Sequence, residues 1–521
     1  MSRMKSVLGL PDAPDKVARL GKIMFILGPI GNFTFTISST FYMIFIAEAL
    51  GGGDYIQGLG LVGTLVVLQM AIQIILDYPS GALGDWIGQR WVIAAGNFCY
   101  GISFFMVSLV TTSTPFAYLV AIYLLQGFAN SQISGAWDSW FDNNYRVAMP
   151  KDKDRKQYGV FWGRTGMVMQ VVSTAALIPG GILAVTIGRP WVFQMQAVGA
   201  VVFSLMVLRF VRDFPEVEEM REERPSMSEY VTLLKGGVSY LFSNSFVKYV
   251  ILGSMLATST IMVWGNIILF PMYFSYLLTD LAVAGYRTIL FIPGVFTQER
   301  SGVWSQRFEP RKWIPRFRLI QACGFAFFMV FALLMFLFPP VSDTTFISVV
   351  IPFTAIEILQ VPTANIIPII LIAIVFSVTM LFGGFAEILT QRELLDAIPN
   401  KIRNSMYSLS PTIATLFAMP QIAIFGWLIP IIGFPMTLAM IGFVSLAGVA
   451  ILRYGLQQEK PICTDQEPQF SSSEFLDEIS LLEEVPTLST IEERPVELLE
   501  ASSDYIKIFE DKFSLDPEKL E

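Results

Sequence analysis

Repeated apolar runs of about 20 residues constrain this chain more than any other feature, because a helix of that length spans the hydrocarbon core of a bilayer. We count twelve such runs, at approximately 21–49, 56–79, 91–111, 116–140, 158–186, 190–210, 247–275, 281–300, 314–338, 365–390, 405–427 and 434–453. Only 15% of the residues are charged, whereas roughly 25% is usual in soluble proteins. The sequence therefore predicts an all-α membrane protein with 12 transmembrane helices.

The basic residues between these runs fall mostly on one side of the predicted membrane. That side would hold Arg3, Lys5, Lys16, Arg19, Lys22, Arg90, Arg146, Lys151, Lys153, Arg155, Lys156, Arg221, Arg224, Lys235, Arg307, Arg311, Lys312, Arg392, Lys401 and Arg403, and the other side would hold Arg189 and Arg287. Cytoplasmic loops carry an excess of Lys and Arg. We therefore expect both the N and the C termini to be cytoplasmic, and an even number of spans agrees with this.

A polar, charged segment divides the twelve spans into two groups of six. The predicted parts are an N-terminal six-helix bundle at 1–211, a cytoplasmic connector at 212–246, a C-terminal six-helix bundle at 247–456 and a tail at 457–521. The tail holds 18 acidic and 5 basic residues. A segment so rich in acid, serine and proline cannot bury enough apolar surface to fold, so we predict a disordered cytoplasmic tail.

The decapeptide GALGDWIGQR, Gly81 to Arg90, lies between the second and third spans. Glycines allow two helix ends to approach closely. Asp85 and Arg90 carry opposite charges that can pair across a helix end and separate when the helices move. We therefore predict a glycine-rich loop that acts as a conformational latch.

This segment resembles the signature loop of the major facilitator superfamily, G-x-L-x-D-R-x-G-R-K. The matching residues are Gly81, Leu83, Asp85, Gly88 and Arg90, whereas Trp86 and Gln89 stand at positions that are commonly basic in the family. The resemblance, which covers residues 1–456, implies two six-helix bundles that rock around a site near mid-membrane. It also implies that Arg90 meets an acid at the end of the fourth span, for which Asp142 is the better match.

A weaker copy of the loop lies at Gly302–Lys312, GVWSQRFEPRK. Gly81 aligns with Gly302 and Arg90 with Arg311, both at an offset of 221 residues. Transporters are commonly built from such internal repeats. We therefore expect a second hinge on the same side of the membrane. Asp85 corresponds to Gln306 there, so the stronger charge latch is expected in the first copy.

Four ionisable residues near the cytoplasmic ends of spans form a candidate charge network: Asp77, Asp138, Arg164 and Glu387. A charge inside a bilayer costs roughly 2.5–3.5 kcal/mol on insertion scales, so such residues are functional candidates. Asp138 and Arg164 are expected to form a buried ion pair. Asp77 and Asp138 are the candidates for coupling to protons or Na⁺. The alternative is a set of helix-end charges in water.

Uncharged polar residues occupy the middle of several spans. Five of them are candidates for lining a substrate cavity: Asn32, Gln126, Gln170, Asn266 and Gln421. The resemblance implies that helices of this set line a central cavity. The alternative is that each one forms a hydrogen bond between helices, worth on average about 0.6 kcal/mol.

The residues that other chemistries need are missing from the sequence. It contains no histidine, three scattered cysteines and no phosphate-binding G-x-x-x-x-G-K-[ST] motif, so we predict no metal site, no cofactor, no catalytic site and no ATP-driven step. We expect a non-enzymatic secondary transporter of a small organic solute, monomeric, multi-pass in the cell membrane and without nucleic-acid partners. The alternative is a non-transporting membrane receptor or sensor of the same fold that signals through its acidic tail.

Overall fold

The computed structural model describes residues 2–461, except 12, 151, 153–155, 220–234, 236–237, 306, 343–344, 351–356, 396 and 399. The predicted tail beyond residue 461 and most of the central connector therefore lie outside the described residues. Residues 1–211 are called the first half below, and residues 247–456 the second half.

The described part of the first half is a series of helices with short connections. They are α1 (Ser2–Leu8), α2 (Asp15–Thr36), α3 (Tyr42–Leu50), α4 (Tyr55–Ile87), α5 (Gln89–Ser108), α6 (Phe116–Ile133), α7 (Ala136–Ala148), α8 (Lys156–Ile187) and α9 (Arg189–Phe210). The short helix α10 (Pro215–Glu219) follows in the connector.

The second half continues in the same way. Its helices are α11 (Ser245–Val263), α12 (Leu269–Leu277), α13 (Asp280–Ser305), α14 (Pro310–Ile320), α15 (Phe325–Leu337), α16 (Ile366–Leu395) and α17 (Asn400–Leu456). Gly433 has a φ of 76° and divides α17 into two helices. A side chain with a Cβ is strained at this angle, and a glycine is not.

Eight described segments are long and apolar enough to cross a membrane, judged by length and composition: Tyr55–Asp77, Gln89–Ser108, Gln157–Ile187, Arg189–Phe210, Ser245–Leu277, Pro310–Leu337, Thr363–Leu394 and Leu409–Leu456. Large apolar side chains lie exposed along these helices; Ile75, for example, is 64% exposed. Such a surface suits contact with lipid. The prediction of a mostly helical membrane protein is confirmed, whereas the count of twelve spans stays a prediction.

The buried apolar residues form three clusters, which differ between the two ends of the molecule. One cluster draws on both halves and includes Phe41, Leu59, Ile268 and Phe327. It lies at the end where α9 begins, which we call the Arg189 end. Of the other two clusters, one lies in the first half, and the other combines the second half with the adjacent end of the connector. They lie at the opposite end, where α4 finishes, which we call the Asp85 end. Among the described residues, the halves therefore share a buried apolar core at the Arg189 end only.

A hairpin lies between α15 and α16, at the Arg189 end. Its strands β1 (Phe346–Val350) and β2 (Glu357–Pro362) pair antiparallel. Buried Asn365 ties the base of the hairpin to α12, because its side-chain amide donates to the carbonyls of Tyr276 at 2.9 Å and Val341 at 3.0 Å. The corresponding connection between α5 and α6 in the first half is only 109–115.

Candidate functional site

The first predicted span is not a continuous helix. Five residues in turns, Ile37–Phe41, separate α2 from α3. The hydroxyl of Ser38 within this break donates to Gln196 Oε1 of α9 at 2.7 Å, and Gln196 Nε2 donates to the carbonyl of Phe35 at 3.3 Å. The break is therefore held in place by a buried side chain from the same half.

The seventh predicted span is interrupted at the corresponding depth. A π-helical turn, Trp264–Ile268, lies between α11 and α12. Such turns widen the helix and often mark functional sites. In transporters with internal repeats, interrupted helices in matching positions of the two halves commonly lie at the binding site. These two interruptions therefore locate a candidate solute site between the halves.

The break in the first half adjoins a group of aromatic and amide side chains. Tyr42 Oη donates to Gln126 Oε1 at 3.0 Å, and Gln126 Nε2 donates to Ser103 Oγ at 3.4 Å. The Tyr100 hydroxyl donates to Asn130 Oδ1. Its ring stacks on Phe104 with centroids 5.7 Å apart. Rings and amides together suit an organic solute that carries polar groups.

The predicted cavity residues divide into two groups. Asn32, Gln170 and Asn266 are part-buried. Asn32 lies in the last turns of α2, Gln170 near the middle of α8 and Asn266 in the π-helical turn. Gln126 and Gln421 are buried. Gln421 Nε2 donates to Ser259 Oγ of α11 at 2.6 Å. For these two residues the structure therefore favours hydrogen bonding between helices, the alternative stated above.

An ion cluster joins the two halves at the Arg189 end. Arg189 makes a bidentate contact with Asp280 of α13, from Nε at 2.7 Å and from Nη2 at 2.9 Å. Its Nη1 donates to Glu48 of α3 at 2.6 Å. The side chains of Arg189 and Asp280 are 15% and 8% exposed. Two parallel charge-assisted hydrogen bonds of this kind are strong and directional.

Glycines bring the helices of the two halves into contact at this end. A methyl group added to Gly63 of α4 would lie 2.8 Å from the carbonyl oxygen of Ile422 in α17, and one added to Gly181 of α8 would lie 2.8 Å from the Cα of Leu281 in α13. Trp427 Nε1 also donates to Thr64 Oγ1 at 3.3 Å. The Arg189 end is therefore closed.

The same two helices are not packed in this way at the Asp85 end. A methyl group added to Gly81 of α4, or to Gly159, Gly163 or Gly166 of α8, would meet no atom within 4 Å. These four glycines thus face open space, whereas Gly63 and Gly181 make close contacts at the other end. At these four positions the first half makes no glycine contact with the second.

The signature segment is helical, not the loop that the sequence predicts. Helix α4 continues to Ile87, and α5 begins at Gln89. Gly88 alone makes the turn, with a φ of 99°. Asp85 accepts a hydrogen bond from Gln89 Nε2 at 3.1 Å. Alanine favours a helix, and a glycine inside one costs only about 1 kcal/mol, so a helix can run through this segment until Gly88 ends it.

The charged residues of the predicted latch have other contacts in this conformation. The guanidinium of Arg90 lies 5.1 Å from the ring centroid of Trp91. Asp142 of α7 pairs with Arg146 at 2.8 Å. Among the described residues, no ion pair connects Arg90 with Asp142 or Asp85. Such a pair would need the helices at this end to come closer together.

In the second copy, Gly302 is a helical residue of α13. Arg311 lies in α14 and lines a cavity of about 500 Å³ together with Lys312, Arg316 and Arg453. Gln306, the counterpart of Asp85, is outside the described residues.

The four residues of the predicted charge network have separate surroundings. Exposed Arg164 donates to the carbonyls of Ser6 and Val7, the latter at 2.8 Å. It therefore caps the C-terminal end of α1, where a cation is favourable, and the predicted ion pair with Asp138 does not form. Asp138 is exposed in the first turn of α7.

Asp77 and Glu387, the other two members of the predicted network, also have different surroundings. Glu387 of α16 pairs with buried Arg318 of α14 at 2.7 Å. Asp77 of α4 has one carboxylate oxygen that is sealed from solvent without a hydrogen-bond partner. Asp77 is thus the member with a buried carboxylate oxygen that no described residue satisfies, whereas Asp138 is exposed to solvent.

Sequence reasoning missed the Arg189 cluster and the Arg318–Glu387 pair. The members of the cluster are 141 and 91 residues apart, so spacing alone gives no sign of their contact. One signal was present in the sequence: Arg189 is one of only two basic residues expected on the non-cytoplasmic side of the membrane. In the described part of the chain, no group of three or more Cys, Asp or Glu side chains could hold a metal ion.

Comparisons with known proteins agree with this architecture. A family model described as the Major Facilitator Superfamily matches residues 24–370, well over half of the chain. No curated protein sequence matches the chain significantly.

Solved transporter structures share the fold. The nucleoside transporter NupG, as a point mutant, aligns with a TM-score of 0.58 at 13% identity over 83% of this chain and 99% of its own. A D-xylose-proton symporter aligns with a TM-score of 0.56 at 12% identity over 85% and 99%. The xylose transporter XylE from E. coli, in an inward-open conformation, aligns with a TM-score of 0.50 at 15% identity over 86% and 96%.

Proposed function

Because the chain belongs to the major facilitator superfamily of secondary transporters, we propose that it moves a small organic solute across the membrane by alternating access. The strongest support is the ion cluster of Arg189, Asp280 and Glu48, which joins the halves at one end. At the other end, Gly81 of α4 and three glycines of α8, at 159, 163 and 166, face open space. A transporter of this kind needs two faces that open in turn.

The Arg189 end would be the non-cytoplasmic face, and the Asp85 end the cytoplasmic one, with both termini inside. The uneven distribution of basic residues supports this orientation. The described conformation is then inward-open. One structural neighbour, the xylose transporter XylE, is itself inward-open.

Two latches would engage alternately. The Arg189 cluster holds the outer face closed in the inward-open form. The signature segment holds the inner face closed in the outward-open form, through Asp85, Arg90 and Asp142. In this conformation Asp85 contacts Gln89, Arg90 lies over Trp91 and Asp142 pairs with Arg146. The latch would form when the helices at the inner face come together. The second copy, with Gly302 and Arg311, would move with it.

Asp77 is the candidate coupling group. It lies near the inner end of α4, and one of its carboxylate oxygens is sealed from solvent without a hydrogen-bond partner. A proton or Na⁺ at that oxygen would meet no competing donor from the protein. Buried ionisable groups in transporters commonly mark such ion pathways.

The solute would bind between the two interrupted helices. Half-buried Asn32, Gln170 and Asn266 are the contacts proposed from the cavity set, since Gln126 and Gln421 already bond within their own halves. We place the protein in the cell membrane as a monomer surrounded by lipid, because large apolar side chains are exposed along its helices.

Uptake into vesicles that contain the purified full chain tests the proposal. A panel of radiolabelled sugars, nucleosides, organic acids and amphipathic drugs is offered, with and without a proton or Na⁺ gradient. We expect saturable uptake of at least one solute that empty vesicles do not show. Failure of every solute to move, together with an Arg189 end that never opens in distance measurements, would overturn alternating access.

A further inference from the structure

Arg287 is a basic residue of α13, the helix at the eighth predicted span. It lies seven residues after Asp280, the first residue of α13, and hence about 10 Å below the closed Arg189 end. Seven residues are almost two full turns, so Arg287 and Asp280 lie on one face of α13, about 20° apart. Asp280 uses that face to reach Arg189 of the first half. Arg287 therefore lies below the Arg189 ion cluster, on the same face of α13.

The neighbours of α13 show that this face points inward. Ile289, two residues further on and nearly opposite around the helix, is 62% exposed on the outer surface. Thr288 donates to the carbonyl of Thr174 of the first half at 3.4 Å. Tyr286 donates to the carbonyl of Ile369 in α16 at 2.9 Å. Arg287 thus lies on the interior side of α13, next to the face that meets the first half.

The guanidinium of Arg287 lacks the partner that a buried cation requires. Its carbon lies 4.4 Å from the ring centroid of Phe291 and 5.4 Å from that of Phe376. Nη1 is sealed from solvent, and no described residue forms a hydrogen bond or an ion pair with it. The ionisable groups close enough to interact with it are two phenols and a thiol, those of Tyr273, Tyr286 and Cys323.

A second donor nearby is also unsatisfied. The hydroxyl of Tyr273 in α12 is fully buried and has no hydrogen-bond partner. The ring of Tyr273 packs against that of Tyr286, with centroids 4.9 Å apart. Tyr286 directly precedes Arg287 in α13. Two unpaired donors in one apolar region call for an acceptor, and the cation calls for one with negative charge.

We propose that Arg287 binds the anionic group of the transported solute, so that the substrate is an organic anion with a carboxylate or phosphate group. The substrate assignment rests on the transport function proposed above, although the binding site does not. The planar guanidinium makes two parallel hydrogen bonds to such a group, and the rings of Phe291 and Phe376 contact the apolar part of the molecule.

Thermal unfolding of the purified full chain tests this without requiring turnover. The probes are benzoate, succinate, phenyl phosphate and glucose 6-phosphate, each paired with its neutral amide or parent alcohol. At least one anion should raise the unfolding midpoint of the wild type, and its neutral counterpart should not. Arg287→Gln should weaken that binding by about tenfold or more, and Arg287→Lys should restore part of it.

Two controls separate binding from folding. Arg209→Gln removes an exposed arginine that lies over Phe210, and anion binding should be unchanged. Without ligand, Arg287→Gln should unfold at the same or a higher temperature, because an uncompensated buried charge has been removed. A structural arginine would give the opposite result.

The proposal is overturned if no anion binds, if the neutral probes bind equally well, or if Arg287→Gln still binds the anion with wild-type affinity. If an anion binds through Arg287 but no solute crosses vesicles, the transport function fails and the site stands. If only neutral solutes are transported, transport stands and the anion site fails.

Discussion

Arg189 is the residue on which the described conformation most depends. It is held by two carboxylates, one from each half of the chain, and its side chain is 15% exposed. Breaking a buried ion pair by removing one partner leaves the other charge uncompensated, at a cost of about 3–5 kcal/mol. That cost applies to the closed form alone, because water solvates the carboxylates when the end opens.

Arg189→Gln should therefore shift the population toward opening of the Arg189 end. The measurement is the distance distribution between spin labels at Ser113 and Ile431, in a background without the native cysteines. Longer distances should gain population. Arg209→Gln, at the opposite end, serves as the control. Unchanged distributions in Arg189→Gln would show that the cluster does not hold the gate.

Asp77→Asn should uncouple transport from the ion gradient. The amide keeps the shape of the carboxylate but cannot take up a proton or balance a cation. We expect accumulation against a gradient to fall at least about tenfold, while exchange of labelled for unlabelled solute continues. Glu387→Gln is the comparison, because Glu387 already pairs with Arg318. Full accumulation by Asp77→Asn would exclude this residue from coupling.

Individual partners are what the sequence could not predict at this scale. Arg164 was expected to form an ion pair with Asp138, but its guanidinium donates instead to carbonyls at the C-terminal end of α1. Gln421 was expected in a cavity, yet Ser259 lies within hydrogen-bond distance. Residue type and depth can be inferred from apolar patterning, but the choice among nearby partners depends on tertiary packing.

Helices α4 and α8 show how one element can be closed at one end and open at the other. Along α4, Gly63 touches the backbone of α17, whereas Gly81 meets nothing within 4 Å. Glycines permit close backbone approach of membrane helices, which is stabilised by dispersion contacts. The position of a glycine along a helix therefore determines where the halves can meet.

This provides a matched pair of substitutions. Gly63→Ala places a methyl group 2.8 Å from the carbonyl oxygen of Ile422, so the helices must separate and the closed form is destabilised by about 1–3 kcal/mol. Gly81→Ala adds the same methyl group in open space. The spin-label distances at the Arg189 end should lengthen in the first variant only. Equal behaviour of the two variants would contradict the packing asymmetry.

The apolar runs were enough to predict the helices, but not their interruptions. The turns at 37–41 and the π-helical turn at Trp264–Ile268 both lie inside predicted spans. The first contains three hydroxyl residues and the second contains Gly265 and Asn266, but small and polar residues are common inside membrane helices and do not predict a break. The signature segment shows the converse, because its glycines predicted a loop where α4 remains helical to Ile87. Hydropathy reports burial in lipid, and it carries little information on how the backbone hydrogen bonds are arranged.

At the scale of the whole molecule, the halves share one apolar core at the Arg189 end and have separate cores at the Asp85 end. A secondary transporter of this family is an integral, multi-pass membrane protein. In its transport cycle, the Arg189 end would open and the Asp85 end would close. The two local cores can persist in both forms, whereas the shared core must divide.

Transport should reside in the membrane body alone. Residues 1–463 form one compact unit. A chain that ends at Cys463 should therefore keep at least about half of the wild-type uptake rate in vesicles, measured at equal protein density. Loss of uptake with normal insertion would favour the receptor alternative, in which the acidic tail carries the function.

The two kinds of contact at the Arg189 end differ in range, and this determines the order in which that end closes. Charges attract over a screening length of about 10 Å at 0.1 M salt, whereas glycine contacts act only when the helices touch. The ion cluster therefore guides the halves together, and the glycines hold them afterwards. Raising the salt concentration on that side should slow closing and leave reopening almost unchanged, as stopped-flow fluorescence can measure. The concentration of an external salt that is not transported would thus change the rate at which the Arg189 end closes.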